Sequence, residues 1–320
     1  MTAIYTDCKI DDKSRREKIY RGDLFAYQAS SATKELCELA RELIEEAFYP
    51  LDPEIAQFEL QVERYVEILA VLKPRFIHHD RCKTLIPEVV ESVGGDPEQT
   101  YFDIPRLRSS TSHDYLTTGI AYAFHPHRDT WYSAPHCQIN WWLPVYAISS
   151  DSGMAIHPNY FANVVENTSE CYNYYRWNKE SRANAASHIG KDSREQPKAI
   201  QDIPLEPDVR LVTEPGGMFQ FAAAHLHSSI PNQTGKTRFS IDFRTVHRED
   251  VISRSGAPNV DSKCSGTNLR DFLRCSDLSR LPEELVLPYD DGHPPPKEAV
   301  LTFDGGGDDN FRSQTKSEID

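Results

Sequence analysis

At 320 residues, with 39% hydrophobic and 26% charged side chains, the chain has the composition of a globular protein that can bury a substantial core, in one large domain or two ordinary ones. Its formal charge of −14 argues against a nucleic-acid partner, because affinity for phosphate backbones needs a concentrated basic face and none stands out; a small-molecule substrate is the expectation. No apolar run is long enough to span a membrane, and the first residues lack the basic-then-apolar pattern of a signal peptide, so a cytoplasmic protein without membrane attachment is expected.

Residues 1 to about 28 read as polar and irregular, with a basic cluster from Lys13 to Arg21. From Ser31 the pattern becomes helical: Leu36, Leu39, Ala40, Leu43, Ile44 and Ala47 recur at spacings of three and four behind a serine cap. Asp52-Pro53-Glu54 predicts the start of a second helix, with an apolar face of Ile55, Phe58, Val62, Tyr65, Val66, Ile68, Leu69 and Leu72, ending near Lys73-Pro74. A third is expected over 80–93, closed by Gly94-Gly95. Beyond Asp96-Pro97 the texture turns to aromatic and β-branched residues, predicting strands over 101–109, 119–127, 136–146 and 154–157. A long polar stretch, 160–207, carries weak periodicity around Tyr172 to Trp177. Strands resume over 209–213, 218–224 and 237–246, followed by a short helix over 268–275 and a polar, Gly-rich tail, 301–320, expected to be disordered. The seven cysteines are odd in number and scattered, so they define neither a disulfide framework nor a zinc knuckle.

Helices first and short strands after them predict an α+β protein. Its strands are expected to form an antiparallel sandwich or jelly roll over about 100–250, with helices of about 30–95 packed on one side, in a single domain of about 1–300.

The chemistry concentrates in two places. Side chains two apart in a strand face the same way, so His125, His127 and, if the strand continues, Asp129 project into one cavity. About a hundred residues later come His225 and His227, again two apart. Two imidazoles and one carboxylate are ligands suited to Fe(II), and thiolates are lacking nearby. Either His225 or His227 has the parity to serve as the distal ligand. Eleven residues past His227, Arg238 begins a strand whose same face carries Ser240, Asp242 and Arg244. A buried arginine is expensive unless it meets an anion. Arg238 and Arg244 either await an anionic ligand or pair with Asp242 and other acids.

His127-x-Asp129, His227, and Arg238 with Ser240 two residues on together resemble the Fe(II)/2-oxoglutarate-dependent dioxygenases, with the flavour of their phytanoyl-CoA dioxygenase-like branch. The phrase His227-Ser228-Ser229-Ile230-Pro231-Asn232 and the preceding Pro215-Gly216-Gly217-Met218-Phe219-Gln220-Phe221 carry the latter likeness. The resemblance implies a double-stranded β-helix holding Fe(II) through His127, Asp129 and His227. It further implies 2-oxoglutarate as co-substrate, its far carboxylate on Arg238 and Ser240, and O2 as oxidant. Succinate would be released as a substrate C–H bond is oxidised. An intact Asp129 favours hydroxylation over halogenation, in which a small residue replaces the carboxylate so that chloride can bind.

Several further side chains are candidates for the pocket. Gln138 and Asn140 share a strand face with Trp142, opposite Ile139, Trp141 and Leu143, and would reach 2-oxoglutarate if the polar face looks inward. His125, Trp131, Tyr132 and Arg108 are candidate substrate contacts, with core packing or ordinary ion pairing as the alternative for each. The 160–207 stretch is expected to cover the mouth of the site, with Tyr172, Tyr174, Tyr175 and Trp177 as contacts. Two other readings stand beside it: an oxygen-independent metal isomerase or lyase using the same ligands, and a non-catalytic binding protein on the same fold, against which the full ligand set argues.

Overall fold

The computed structural model describes residues 2–121, 125–181 and 185–290. The expected disordered tail, 301–320, lies outside them, as does part of the expected strand 119–127.

The N-terminal stretch is not irregular. It forms strand β1 (Ile4–Thr6), helix α1 (Asp12–Tyr20) and strand β2 (Leu24–Tyr27). Helix α1 escapes an apolar-periodicity reading because it buries Arg15 and Arg16. Arg16 Nε donates to Asp12 Oδ2 at 2.7 Å, and its other arm pairs with Asp250. Helix α2 (Ser31–Phe48) starts as expected, behind a Ser30–Thr33 capping box. Helix α3 (Val62–Ile77) begins ten residues after Asp52, because the apolar Ile55 and Phe58 belong to a short 3-10 turn and stay exposed. It also runs through Pro74, which costs one backbone hydrogen bond but does not end the helix. Helix α4 (Asp80–Ser92) ends before Gly94, whose φ of +83° suits the glycine there.

The expected strand 101–109 is two strands, β3 (Thr100–Phe102) and β4 (Arg106–Ser110), separated where Pro105 lacks a donor and Asp103 bonds the backbone of Arg244. Next come β5 (Ile139–Pro144), β6 (Met154–Ile156), helix α5 (Tyr174–Glu180), β7 (Val209–Arg210), β8 (Met218–Ala222), β9 (His227–Ser229) and β10 (Arg238–His247). The C-terminal region adds helix α6 (Arg248–Ser253), strand β11 (Leu273–Arg274) and helix α7 (Glu283–Val286). The helix expected over 268–275 is instead a 3-10 turn, Leu269–Asp271, leading into β11, which pairs with β3.

The molecule is a mixed α and β protein with two sheets. In the larger, the order is β1-β2-β8-β5-β10-β3-β11, with β4 also on β10; all these pairs are antiparallel except β1 with β2. The smaller sheet has the order β7-β6-β9. Strand β10 is long enough to pair with β5 on one side and with β4 then β3 on the other.

Alternation along the large sheet divides its two faces. Ile139, Trp141, Leu143, Phe239, Ile241 and Phe243 share a core with Leu36, Ala40, Leu69, Leu72 and Val89 of the helices. On the opposite face Trp142, Phe219 and Phe221 pack with Ile156 of the small sheet. The polar side chains of β5 and β10 therefore point into the space between the sheets.

Candidate metal centre and anion pocket

His127 and His227 are a cross-strand pair. Each backbone N–H donates to the other's carbonyl, at 3.0 and 2.9 Å, forming an isolated antiparallel bridge beside β9. Such a pair holds its side chains on the same side of the ladder, and the two imidazole centroids lie 4.3 Å apart. Asp129 is not in a strand, as expected from parity alone, but opens a 3-10 turn (Asp129–Tyr132); Arg128 before it is extended (φ −111°, ψ 143°), which still turns His127 and Asp129 to one side.

Ligand atoms of His127, Asp129 and His227 all lie within 4.8 Å of one another, and all three residues are buried. His127 Nδ1 is 2.9 Å from the His125 carbonyl and His227 Nδ1 is 3.0 Å from that of His225. Each Nδ1 is therefore the protonated nitrogen, leaving both Nε2 lone pairs for a cation. These converge on Asp129 Oδ1, at 3.5 Å from His127 and 3.8 Å from His227. The other carboxylate oxygen is held from behind: Gln138 Nε2 donates to Oδ2 at 3.2 Å and Arg244 Nε lies 3.6 Å away.

The protonation states suit a divalent cation. Burial, then the neighbouring His127, pushes His227 down to about 3, so the ring is neutral at physiological pH. Burial opposes ionisation of Asp129, but the neighbouring His127 and the Arg244 charge outweigh it and hold the carboxyl well below the usual carboxylate range.

His225 is not a rival ligand. It lies in the turn between β8 and β9, where strand parity does not apply, and its Nε2 faces the Gly22 carbonyl at 3.2 Å. His125 likewise turns away, its Nε2 2.7 Å from the Pro197 carbonyl.

Along the inner face of β10 lies the second feature. Arg238 is buried and its Nη1 donates to Ser240 Oγ at 2.8 Å, while its guanidinium stacks on the Trp142 ring at 5.5 Å. Among the described residues no carboxylate pairs with it, and its buried Nε has no partner. Burial pushes it down to about 10. Asp242, which might have neutralised it, is taken by Arg108, Nε to Oδ1 at 2.6 Å, and approached by Arg244 at 3.5 Å. Arg108, a candidate substrate contact with ion pairing as the alternative, is thus engaged in an ion pair. Arg244 also reaches Asp103 at 3.4 Å.

A second cation, unforeseen from sequence, adds to this pocket. Lys73 has a half-buried stem but an enclosed ammonium, which donates to the Ile120 carbonyl at 2.5 Å. Burial, then the nearby Arg108 charge, pushes it down to about 7. In sequence it marks only the end of an amphipathic helix; because α3 continues past it, its ammonium comes within electrostatic reach of Arg108, Asp242 and Arg238.

The polar face of β5 does look inward. Gln138, however, is engaged elsewhere: its amide donates to Asp129 and Asn140, and its Oε1 accepts from Asn268 Nδ2 at 2.8 Å. It supports Asp129, and both its N–H groups are committed, so it has none to donate to a carboxylate ligand. The amide nitrogen of Asn140 is not so committed. Trp131, a candidate substrate contact, is fully buried, packed with Val165 and Leu226 and bonded to Asp261 at 2.7 Å, which is the core-packing alternative. Tyr132 does border it, 5.4 Å from the His127 ring and 5.2 Å from Tyr172, which in turn meets Trp177 at 5.9 Å. Tyr174 and Tyr175 instead bond Asp271 and Asp290. The 160–207 stretch therefore lies against the centre through Tyr132, Tyr172 and Pro197.

No protein-family model matches the chain, and none of the curated proteins does. Among solved structures it is similar to ThoJ, a non-heme monooxygenase, at 13% identity over 72% of this chain and 76% of that one, with a TM-score of 0.41. It is also similar to EvdO2 from Micromonospora carbonacea var. aurantiaca, at 14% identity over 75% and 92% of the two chains, TM-score 0.44. A third is SnoN, a non-heme alpha ketoglutarate dependent epimerase from nogalamycin biosynthesis, at 12% identity over 74% and 84%, TM-score 0.36.

Proposed function

We propose that the chain is an Fe(II)- and 2-oxoglutarate-dependent dioxygenase built on a double-stranded β-helix. In this reading it couples decarboxylation of 2-oxoglutarate to succinate with oxidation of a C–H bond in a small, polar substrate, and hydroxylation is the expected outcome because Asp129 is intact. The observation that carries the reading is the conjunction of a converging His127–Asp129–His227 triad with Arg238, a buried cation with no acid partner among the described residues. An isolated buried charge costs several kcal/mol, which a bound carboxylate would offset. An oxygen-independent metal isomerase would explain the triad but leave Arg238 without an anion.

The three triad residues would hold Fe(II), a metal that suits two imidazoles and one carboxylate and leaves positions for other ligands. Bound there with 2-oxoglutarate, it would supply the activation of O2. The chain's own residues do the rest. The carbonyls of His125 and His225 fix the rings; Gln138 and Arg244 hold one oxygen of Asp129 so that the other faces the metal. Arg238 and Ser240, with Lys73 within electrostatic reach, would receive the far carboxylate of 2-oxoglutarate, while Asn140, paired with Arg244 nearer the triad, would meet the co-substrate closer to the metal. Tyr132 and Tyr172 would exclude water from the centre and border the substrate. The composition fits a cytoplasmic location.

Purified chain supplied with Fe(II), 2-oxoglutarate and O2 is expected to release succinate, faster when a screened metabolite is the true substrate. Under anaerobic conditions Fe(II) and 2-oxoglutarate should give a weak visible charge-transfer band. Absence of both, with His127→Ala binding metal as well as the unaltered chain, would overturn the assignment.

A further inference from the structure

The middle residue of His127-Arg128-Asp129 reads in sequence as a spacer. In the fold it is one of the largest fully buried side chains, 1% exposed. Because the backbone at Arg128 is extended, its side chain leaves on the side opposite the two ligands. There the guanidinium gathers four partners from three separate segments. Nη1 donates to the Ala224 carbonyl at 2.5 Å, in the turn three residues before His227. Nη2 donates to the carbonyls of Tyr160 and Asn163, at 2.6 and 2.9 Å, at the root of the 160–207 stretch. Nε meets the carboxylate of Asp261 at 3.1 Å, in the C-terminal region.

Asp261 is itself buried and fully used. Beyond Arg128 it accepts from Trp131 Nε1 at 2.7 Å and from the Val165 amide at 2.9 Å. Ser262 beside it donates to the Thr130 carbonyl. The carboxylate therefore grips the chain on both sides of Asp129, through Arg128 and through Trp131.

Besides this pair, the described residues join the two ligand-bearing segments through the His127–His227 bridge and a long bond from the Thr130 N–H to the Ala223 carbonyl at 3.4 Å, with Trp131 packed on Leu226. The arginine fork adds a charge-assisted connection on the side opposite the ligands, between the residue next to both of them and the turn that presents His227. It thereby limits the twist of one segment against the other, and the ligand angles follow.

We propose that Arg128 and Asp261 are positioning residues that set the geometry of the metal centre, making the region around 261 part of that centre although it supplies no ligand. This inference rests on the reading of the triad as a metal site.

The test is Co(II), alone, as a spectroscopic probe of the full-length chain. Asp261→Asn keeps an oxygen for the Val165 amide while removing the charge; Arg128→Lys keeps the charge while removing the fork. Each variant, checked for folding by circular dichroism, is expected to bind Co(II) at least tenfold more weakly and to show a shifted or broadened visible band. A merely structural role would lower the melting temperature but leave the folded protein's Co(II) spectrum unchanged. A folded variant with a superimposable spectrum and an affinity within twofold overturns the inference while leaving the metal reading intact. Failure of the unaltered chain to take up Co(II) overturns both.

Discussion

At the scale of single residues, the site works by assigning each polar atom one task. Gln138 illustrates this, since every hydrogen bond it makes orients Asp129 or the groups beside it. Partners of metal ligands typically contribute 10–100-fold in metal affinity. Gln138→Ala should therefore weaken Fe(II) or Co(II) binding by roughly that factor, measured by anaerobic titration. Arg238→Ala should act on the co-substrate instead. A hydrogen bond to a charged group contributes about 1.5–3 kcal/mol, so the KM for 2-oxoglutarate is expected to rise roughly 10- to 150-fold with metal affinity preserved.

Lys73 adds a pH dependence to the same pocket. Its folded pKa of about 7 lies below that of a free lysine, so the ammonium deprotonates as pH rises through 7. An anion binds the charged form, so the KM for 2-oxoglutarate should increase from pH 6.5 to pH 8.5, by at most about tenfold per unit. Lys73→Met should raise KM at pH 6.5 and flatten the profile; a wild-type KM independent of pH over this range would exclude Lys73 from the anion site.

Among the elements, helix α5 anchors the 160–207 stretch to the rest of the molecule. Helix α5 within it is bound to the C-terminal region by Tyr174 on Asp271, by Tyr175 on Asp290 and by Asn173 on Ser265. Asp271 is 2% exposed, and removing a partner from a buried acceptor costs about 1–3 kcal/mol. Tyr174→Phe is expected to lower the urea midpoint correspondingly and to speed protease cleavage within 160–207. Unchanged cleavage would mean that the helix is held by something other than this contact. The two cross-strand histidines depend on elements in a different way: β6 and β9 pair through Ile156 and His227, so the small sheet carries the distal ligand while the large sheet carries the arginines.

For the whole molecule, the acidic balance conceals a basic interior. The chain carries −14 overall, yet Lys73, Arg108 and Arg238 lie within electrostatic reach of one another around Asp242, and Arg244 links Asp242 and Asp103 to Asp129 of the triad. Repulsion among these cations is relieved when an anion enters, so ligand binding should be read out as global stability. A ligand at 100 times its dissociation constant adds about 2.7 kcal/mol. Metal with 2-oxoglutarate is therefore expected to raise the melting temperature by a few degrees, reversibly on chelation, and His127→Ala should abolish the metal-dependent part of the shift.

Strand texture, the capped helix at Ser31 and the spacing of His127, Asp129, His227 and Arg238 were legible in the chain itself, because each depends on residues near one another in sequence or on alternation along a strand. What alternation could not decide was the choice between His225 and His227, which turned on where β8 ends and a turn begins. Nor could it reveal the arginine-faced helix α1, the reach of Lys73 into the pocket, or the grip of Asp261 on Arg128. Those are buried polar side chains, and their burial is tolerable only because a partner arrives from a distant segment. Arg128 and Asp261 are separated by 133 residues of chain, and only the folded molecule brings the charge and its counter-charge together.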